Sequence, residues 1–263
     1  MEETKPVGQN QSQIAGAIII AGIIIAGAVM LKGSSAPVAN NNAQVAGDGA
    51  TDINLAKVGL EDQVLGDANA KITLVVYEDF QCPFCERFFK ETEQQVRDNY
   101  IDNSNIQLVY RDFAFLGPES IKAAEAARCA GDQGKFWEYH DYLYNHQNGE
   151  NRGAFSDPNL KSFAKILGLN ESTFNQCLDS GKYTKAVNDS ADVGKAAGVT
   201  GTPKGFLITK KDISEKTQTE IAKIANEPNR QPTVSFYKTK NIISLNGALP
   251  WSTVKQVIDI LLK

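Results

Sequence analysis

The sequence predicts an α/β domain that is interrupted by a block of helices and carried behind one N-terminal transmembrane helix. Three observations predict it. Residues 14–31 form an uncharged run of Ile, Ala, Gly, Val, Met and Leu, about long enough to cross a hydrocarbon core as a helix. Residues 72–113 read strand, helix, strand, the order of an α/β unit. Helical periodicity then fills residues 118–198 before strand patterns return at 205–209, 233–237 and 241–245, so the helices are inserted between two halves of one sheet.

Composition narrows the function classes. At 42% hydrophobic residues, a chain of 263 residues can bury an ordinary core, which excludes disorder throughout. Its 27 basic residues are outnumbered by 31 acidic ones, and the net charge of -4 supplies no positive field for phosphate backbones. Nucleic acid is not an expected partner. Four cysteines are too few to staple a chain of this length as a disulfide scaffold, so each needs its own account.

Taken in order, residues 1–13 are a polar tail with Glu2, Glu3 and Lys5, expected on the cytoplasmic side. The apolar run 14–31 lacks the basic leader of a cleavable signal, and Ala36-Pro37-Val38-Ala39 matches a cleavage site only loosely, so an uncleaved anchor is expected. Flanking charge does not fix its orientation, because Lys5 and the amino terminus nearly balance Lys32. Residues 32–52, rich in Gly, Ser, Ala and Asn, read as a flexible linker spanning on the order of 25 Å. The domain proper is expected over 53–263. Residues 72–77 are mostly β-branched and read as a buried strand, a helix follows over 83–100, and 106–113 is the next strand. Within the insertion at about 118–198, Pro118, Gly131, Asp157-Pro158, Gly168, Asn170 and Gly198 mark helix starts and stops. A second, polar insertion at about 210–232 carries the helical spacing Ile221, Ile224, Ala225, and Pro250 opens a last amphipathic helix.

Chemistry concentrates at Cys82-Pro83-Phe84-Cys85, where the strand ends and the helix begins. Two cysteines at this spacing can close a small disulfide ring, and a helix N-terminus stabilises the thiolate that exchange requires. Pro83 falls at the first helical position, where its missing N–H costs nothing and its fixed φ stiffens the turn. Cys82 is therefore expected to be the attacking nucleophile, exposed and with a lowered pKa, and Cys85 the half-buried resolving thiol. The same spacing also supplies half of a tetrahedral zinc site. The remaining ligands do not follow a zinc pattern: Cys129 and Cys177 are isolated, and His140 and His146 share one aromatic-rich helix. No metal and no cofactor are expected, and the two histidines are read as surface or packing residues.

A second segment, Gly198-Val199-Thr200-Gly201-Thr202-Pro203, is turn-rich and leads into a strand. With Leu65-Gly66-Asp67-Ala68, Asp79 through Cys85, Gln133-Gly134-Lys135-Phe136-Trp137 and Gly247-Ala248-Leu249-Pro250, the chain resembles the DsbA-like branch of the thioredoxin superfamily from about residue 58 to 263. The resemblance implies a thioredoxin fold with an inserted helical domain. It also implies a cis bond at Pro203 beside the cysteines, where Pro203 excludes metal ions and Thr202 offers backbone groups to an extended substrate segment. Lys204-Gly205 departs from the more apolar residues common there, and the insertion at 210–232 lengthens the sheet-edge connection.

Asp79, three residues before Cys82, is a candidate proton relay, with a solvent-facing strand-end carboxylate as the alternative. Asn170 is expected to cap a helix rather than accept a glycan. Phe88 and Phe89 are expected in the core and groove lining. Cys129 and Cys177 both lie in helical segments and, in an oxidising compartment, are expected to form a structural disulfide, with two buried reduced thiols as the alternative. The expected activity is an extracytoplasmic thiol-disulfide oxidoreductase that oxidises cysteine-containing exported proteins, with a quinone-linked membrane re-oxidase as partner. Isomerase or reductase action is the alternative, and a redox-inert or zinc-binding thioredoxin-like module is the alternative of a different class.

Overall fold

The computed structural model describes residues 55, 57–59, 61–226 and 231–263. The expected tail, anchor and linker lie outside these. Among the described residues, no helix is long and apolar enough to cross a membrane.

The β-branched run anticipated at 72–77 forms β2 (Ile72–Glu78), and it sits at the middle of a six-stranded sheet. The others are β1 (Gln63–Leu65), β3 (Ile106–Asp112), β4 (Lys204–Thr209), β5 (Val234–Phe236) and β6 (Ile242–Asn246), in the order β1-β3-β2-β4-β6-β5. Only β2 and β3 run parallel, from Ile72 opposite Ile106 to Glu78 opposite Asp112. The remaining pairs are antiparallel. A parallel pair requires a crossover, and the helix after Cys82 provides it. That helix, α1, runs through the segments Pro83–Phe88, Phe89–Glu93, Gln94–Val96 and Arg97–Ile101, the second and fourth wound as π-helix.

Both faces of β2 are covered, which is why its sequence is apolar without alternation. Leu74 and Val76 enter a core with Cys85, Phe88, Phe89 and the inserted helices. Val75 and Tyr77 enter a smaller core with Phe113, Phe206 and Ala191. Each buried side chain of this size is worth roughly 1.5–3 kcal/mol, and a one-residue slip would exchange the two faces.

The insertion contains five helices: α2 (Pro118–Gly131), α3 (Phe136–His146), α4 (Asp157–Ile166), α5 (Glu171–Asp179) and α6 (Thr184–Ala196). Asn170 caps α5, its side chain accepting from Thr173 N at 3.0 Å. Cys129 of α2 is disulfide-bonded to Cys177 of α5, with their Cα atoms 5.9 Å apart. Helix α6 crosses the smaller core at Gly194, where an added Cβ would stand 2.8 Å from Phe113 Cδ2 and 2.9 Å from Tyr77 Cε1, so glycine permits the approach. In the second insertion the spacing of Ile221 and Ala225 buries one side of α7 (Glu215–Ala225). The chain closes with α8 (Trp251–Leu261), with Pro250 at its N-cap.

Candidate active site

Cys82 is the N-cap of α1, with φ -73° and ψ 120°, and Pro83 follows at the first helical position. Its carbonyl begins the helix by accepting from Cys85 N at 3.0 Å and Glu86 N at 3.1 Å. Strand β2 delivers the loop and α1 receives it, so both sulfurs are set at the junction by backbone hydrogen bonds.

The expected exposure of the two thiols is corrected by the structure. Cys82 is 5% exposed and Cys85 fully buried; both are free thiols. The segment that reaches Cys82 lies 120 residues further along the chain, at Thr202, whose peptide bond to Pro203 is cis. Cys82 Sγ approaches Thr202 O at 3.4 Å. Pro203 O in turn accepts from Gly247 N at 3.1 Å, tying this loop to the start of the last helical unit.

The two thiols differ in acidity. Hydrogen bonding from the Cys85 thiol, then the neighbouring Thr202 side chain and the Cys85 and Phe84 backbone N–H groups, lowers the Cys82 pKa to about 6 against the opposing effect of burial. Burial pushes the Cys85 thiol well up, and its hydrogen bond to Cys82 and the nearby Glu78 carboxyl push the same way. At neutral pH one sulfur is an anion and the other holds its proton. The cysteine roles read from the sequence rest on this difference.

Asp79 is not solvent-facing; its backbone carbonyl accepts from Cys82 N at 2.9 Å, but the hydrogen bonds of its carboxylate go to other residues, so the proton-relay expectation gains no carboxylate contact to a cysteine. It is fully buried. Oδ1 accepts from Gln81 N at 2.9 Å and Ser120 Oγ at 2.6 Å, and Oδ2 accepts from Phe115 N at 2.9 Å and Leu116 N at 3.1 Å. Four donors consume its lone pairs, and Asp79 thereby anchors the loop after β3 and the start of α2.

Several residues that the sequence did not single out complete the site. Gln81 Nε2 donates to Ser120 Oγ at 2.8 Å, and Asn151 N donates to Gln81 Oε1. Gln147 Nε2 donates to Cys82 O at 3.3 Å. Gly117, at φ 133°, lies so close to Asn151 that an added Cβ would stand 2.5 Å from its Oδ1. Fully buried Glu78 has its carboxyl pKa pushed well up by desolvation and by the neighbouring Glu93. Tyr144 Oη donates to Glu78 Oε2 at 3.0 Å. Outside this polar shell, Phe84 is 55% exposed, with the Arg87 guanidinium 5.2 Å from its ring centre, and Phe115 is exposed too.

A family model described as thioredoxin matches residues 60–227. The chain belongs to that thioredoxin family. Its fold is that of the DsbA proteins: alpha-DsbA1 of Wolbachia pipientis superposes with a TM-score of 0.61 at 21% identity, over 79% of this chain and 94% of that one. Oxidised BdbD of Bacillus subtilis gives 0.60 at 18% identity, over 77% and 94%. Among curated proteins, a Rickettsia typhi protein named as a candidate protein-disulfide oxidoreductase is 28% identical over 155 residues, 57% of this chain and 56% of that protein. The Na(+)/H(+) antiporter NhaA 1 of Salinispora arenicola is 37% identical over 148 residues, 56% of this chain but only 21% of the transporter. The thioredoxin chain thus spans about a fifth to a half of the length of these curated relatives. Among the described residues of this thioredoxin domain, neither cysteine of the CxxC pair belongs to a metal-ligand cluster, so the zinc alternative at that pair gains no ligands.

Proposed function

We propose that the chain is an extracytoplasmic thiol-disulfide oxidoreductase that passes the Cys82–Cys85 disulfide to exported client proteins. The observation that carries the reading is the opposed acidity of the two thiols, with Cys82 lowered to about 6 and Cys85 raised. In the oxidised enzyme a client thiolate attacks Cys82 Sγ. The Cys82–Cys85 bond breaks, and Cys85 leaves as a thiolate that takes up a proton. A second client thiolate then attacks the client sulfur of the mixed disulfide, Cys82 departs as a thiolate, and the client has lost two electrons to the enzyme. A stabilised Cys82 thiolate favours this direction, because the reduced enzyme is the lower-energy product. The Thr202 backbone beside Cys82 offers an edge for an extended client segment, and exposed Phe84, between the two cysteines in sequence, adds apolar surface.

The anchor at 14–31 would hold the domain at the membrane, and a quinone-linked membrane protein would reoxidise it. An oxidising compartment fits both the Cys129–Cys177 disulfide and a donor of disulfides. The test is equilibration of Cys82/Cys85 with glutathione of known poise. A potential near the roughly -120 mV of strong oxidants supports the reading; one near the roughly -270 mV of thioredoxin makes the chain a reductase. Protease added to intact cells should remove the domain, and protection until lysis would place it in the cytoplasm.

A further inference from the structure

Glu78 at the end of β2, Glu93 in the first π-segment of α1 and His140 in α3 converge in the main core, and all three are fully buried. One ligand atom from each lies within 4.8 Å of the others. Glu78 Oε1, Glu93 Oε2 and His140 Nε2 have no hydrogen-bond partner, although leaving a buried polar atom unpaired is costly. From this convergence we propose that the cluster is a binding site for one first-row divalent metal ion of the Zn²⁺ type, held by the two carboxylates and the imidazole Nε2.

The surrounding chemistry prepares each ligand. His140 Nδ1 lies 2.8 Å from Asp141 Oδ1; donating its proton there leaves Nε2 unprotonated and turned inward, as a metal-binding histidine requires. The contact from His140 Nε2 to Glu78 Oε2 is 4.0 Å, too long for a hydrogen bond, so an imidazolium bonded to Glu78 does not account for the arrangement. Arg97 binds both oxygens of Asp141 at 3.0 Å and Glu93 Oε1 at 2.5 Å, fixing Glu93 with its other oxygen free. Three carboxylates against one guanidinium leave two negative charges when all are ionised, the complement of a divalent cation. Three atoms at most 4.8 Å apart always have a point within about 2.8 Å of all of them, so closing to the usual ~2.1 Å asks less than an ångström of each side chain. Rings of Phe80, Phe89, Tyr110, Phe136, Trp137 and Tyr144 stand within 6.0 Å of the imidazole and keep the cluster dry. Two oxygens and one nitrogen suit Zn²⁺, Mn²⁺ or Fe²⁺, whereas Ca²⁺ demands more oxygen ligands. Burial implies loading during folding. The site does not depend on the thiol reading.

The experiment uses full-length protein with Cys82–Cys85 oxidised, so that neither thiol can ligate. It is unfolded in chelator and refolded with Co²⁺ or Zn²⁺. One bound ion per chain, and with Co²⁺ a paramagnetic shift of the His140 imidazole resonances, are expected; the chain has only two histidines, so His146 serves as internal control. Glu93→Gln should bind at least about tenfold more weakly, and Asp141→Asn about 10- to 100-fold. Refolded wild-type protein that holds no ion, an ion that shifts His146 alone or neither histidine, or full occupancy in folded Glu93→Gln would each overturn the proposal. The wild-type resonances decide it even where a variant fails to fold.

Discussion

Protonating Cys82 removes a stabilising interaction that only the reduced, folded protein possesses. Its folded pKa of about 6 stands below the ordinary 9.0, so the thiolate stabilises the fold fully above about pH 9 and not at all below about pH 6. The window runs between those values, with stability lost as pH falls through the folded pKa. A shift of this size corresponds to about 4 kcal/mol above pH 9 at 1.36 kcal/mol per unit. At pH 7 the share is about 1.4 kcal/mol, and at pH 5 it has vanished. The oxidised protein has no titrating thiol at this position, so subtracting its stability removes what is common to both forms. Urea unfolding of reduced and oxidised protein at pH 5 and pH 7 should therefore show the reduced-minus-oxidised difference growing by about 1.4 kcal/mol. A difference flat across that interval, or one that shrinks as pH rises, would refute the account of Cys82.

Changing Cys85→Ser should leave Cys82 able to capture client sulfur but unable to expel it, so mixed disulfides accumulate on non-reducing gels; Cys82→Ser should show none, and equal trapping through either cysteine would reverse the roles. Asp79→Ala orphans four donors, including the N–H groups of Gln81, Phe115 and Leu116, and should lower stability by about 3 kcal/mol or more in urea unfolding, with Asp79→Asn losing less. Removing the Cys129–Cys177 bond by a double alanine substitution should cost up to about 4 kcal/mol, from a loop with sequence separation 48. At low temperature the alkylation rate of Cys82 against pH should keep its inflection near 6, and a displaced inflection would mean that the staple reaches the active site.

What was legible in the sequence was local. The run at 72–77 needed only its β-branched residues, and Asn170 needed only the three residues after it, to declare a buried strand and a helix cap. β1 has three residues, too few for any period to show. The exposure of Cys82 was misjudged because the segment that reaches it is 120 residues away. Asp79 follows a strand end, where solvent is the ordinary expectation, yet three of its four donors come from a turn and a helix that follow β3. Nothing in the spacing of Glu78, Glu93 and His140 announces that they meet; packing α1 and α3 against β2 brings them together.

The inserted helices are part of the catalytic site as well as a covering for it. Ser120 of α2 donates to Asp79, Gln147 donates to the Cys82 carbonyl, and Asn151 closes on Gln81, so the loop bearing the nucleophile is fastened on its insertion side at three points. These fastenings do not all depend on the Cys129–Cys177 bond. Helix α2 is also tied to β3 by the buried Arg128–Asp112 ion pair at 2.6 Å, and Glu119 near its start accepts from Gly153 N and Phe155 N at 2.8 and 2.9 Å. The Glu119 bonds hold the N-terminal half of α2, where Ser120 lies, while the Arg128 ion pair and the disulfide both hold its C-terminal end. The fold places the Cys129–Cys177 disulfide at the opposite end of α2 from Ser120, which fastens the Cys82 loop, so the two cysteine pairs are structurally separated along one helix.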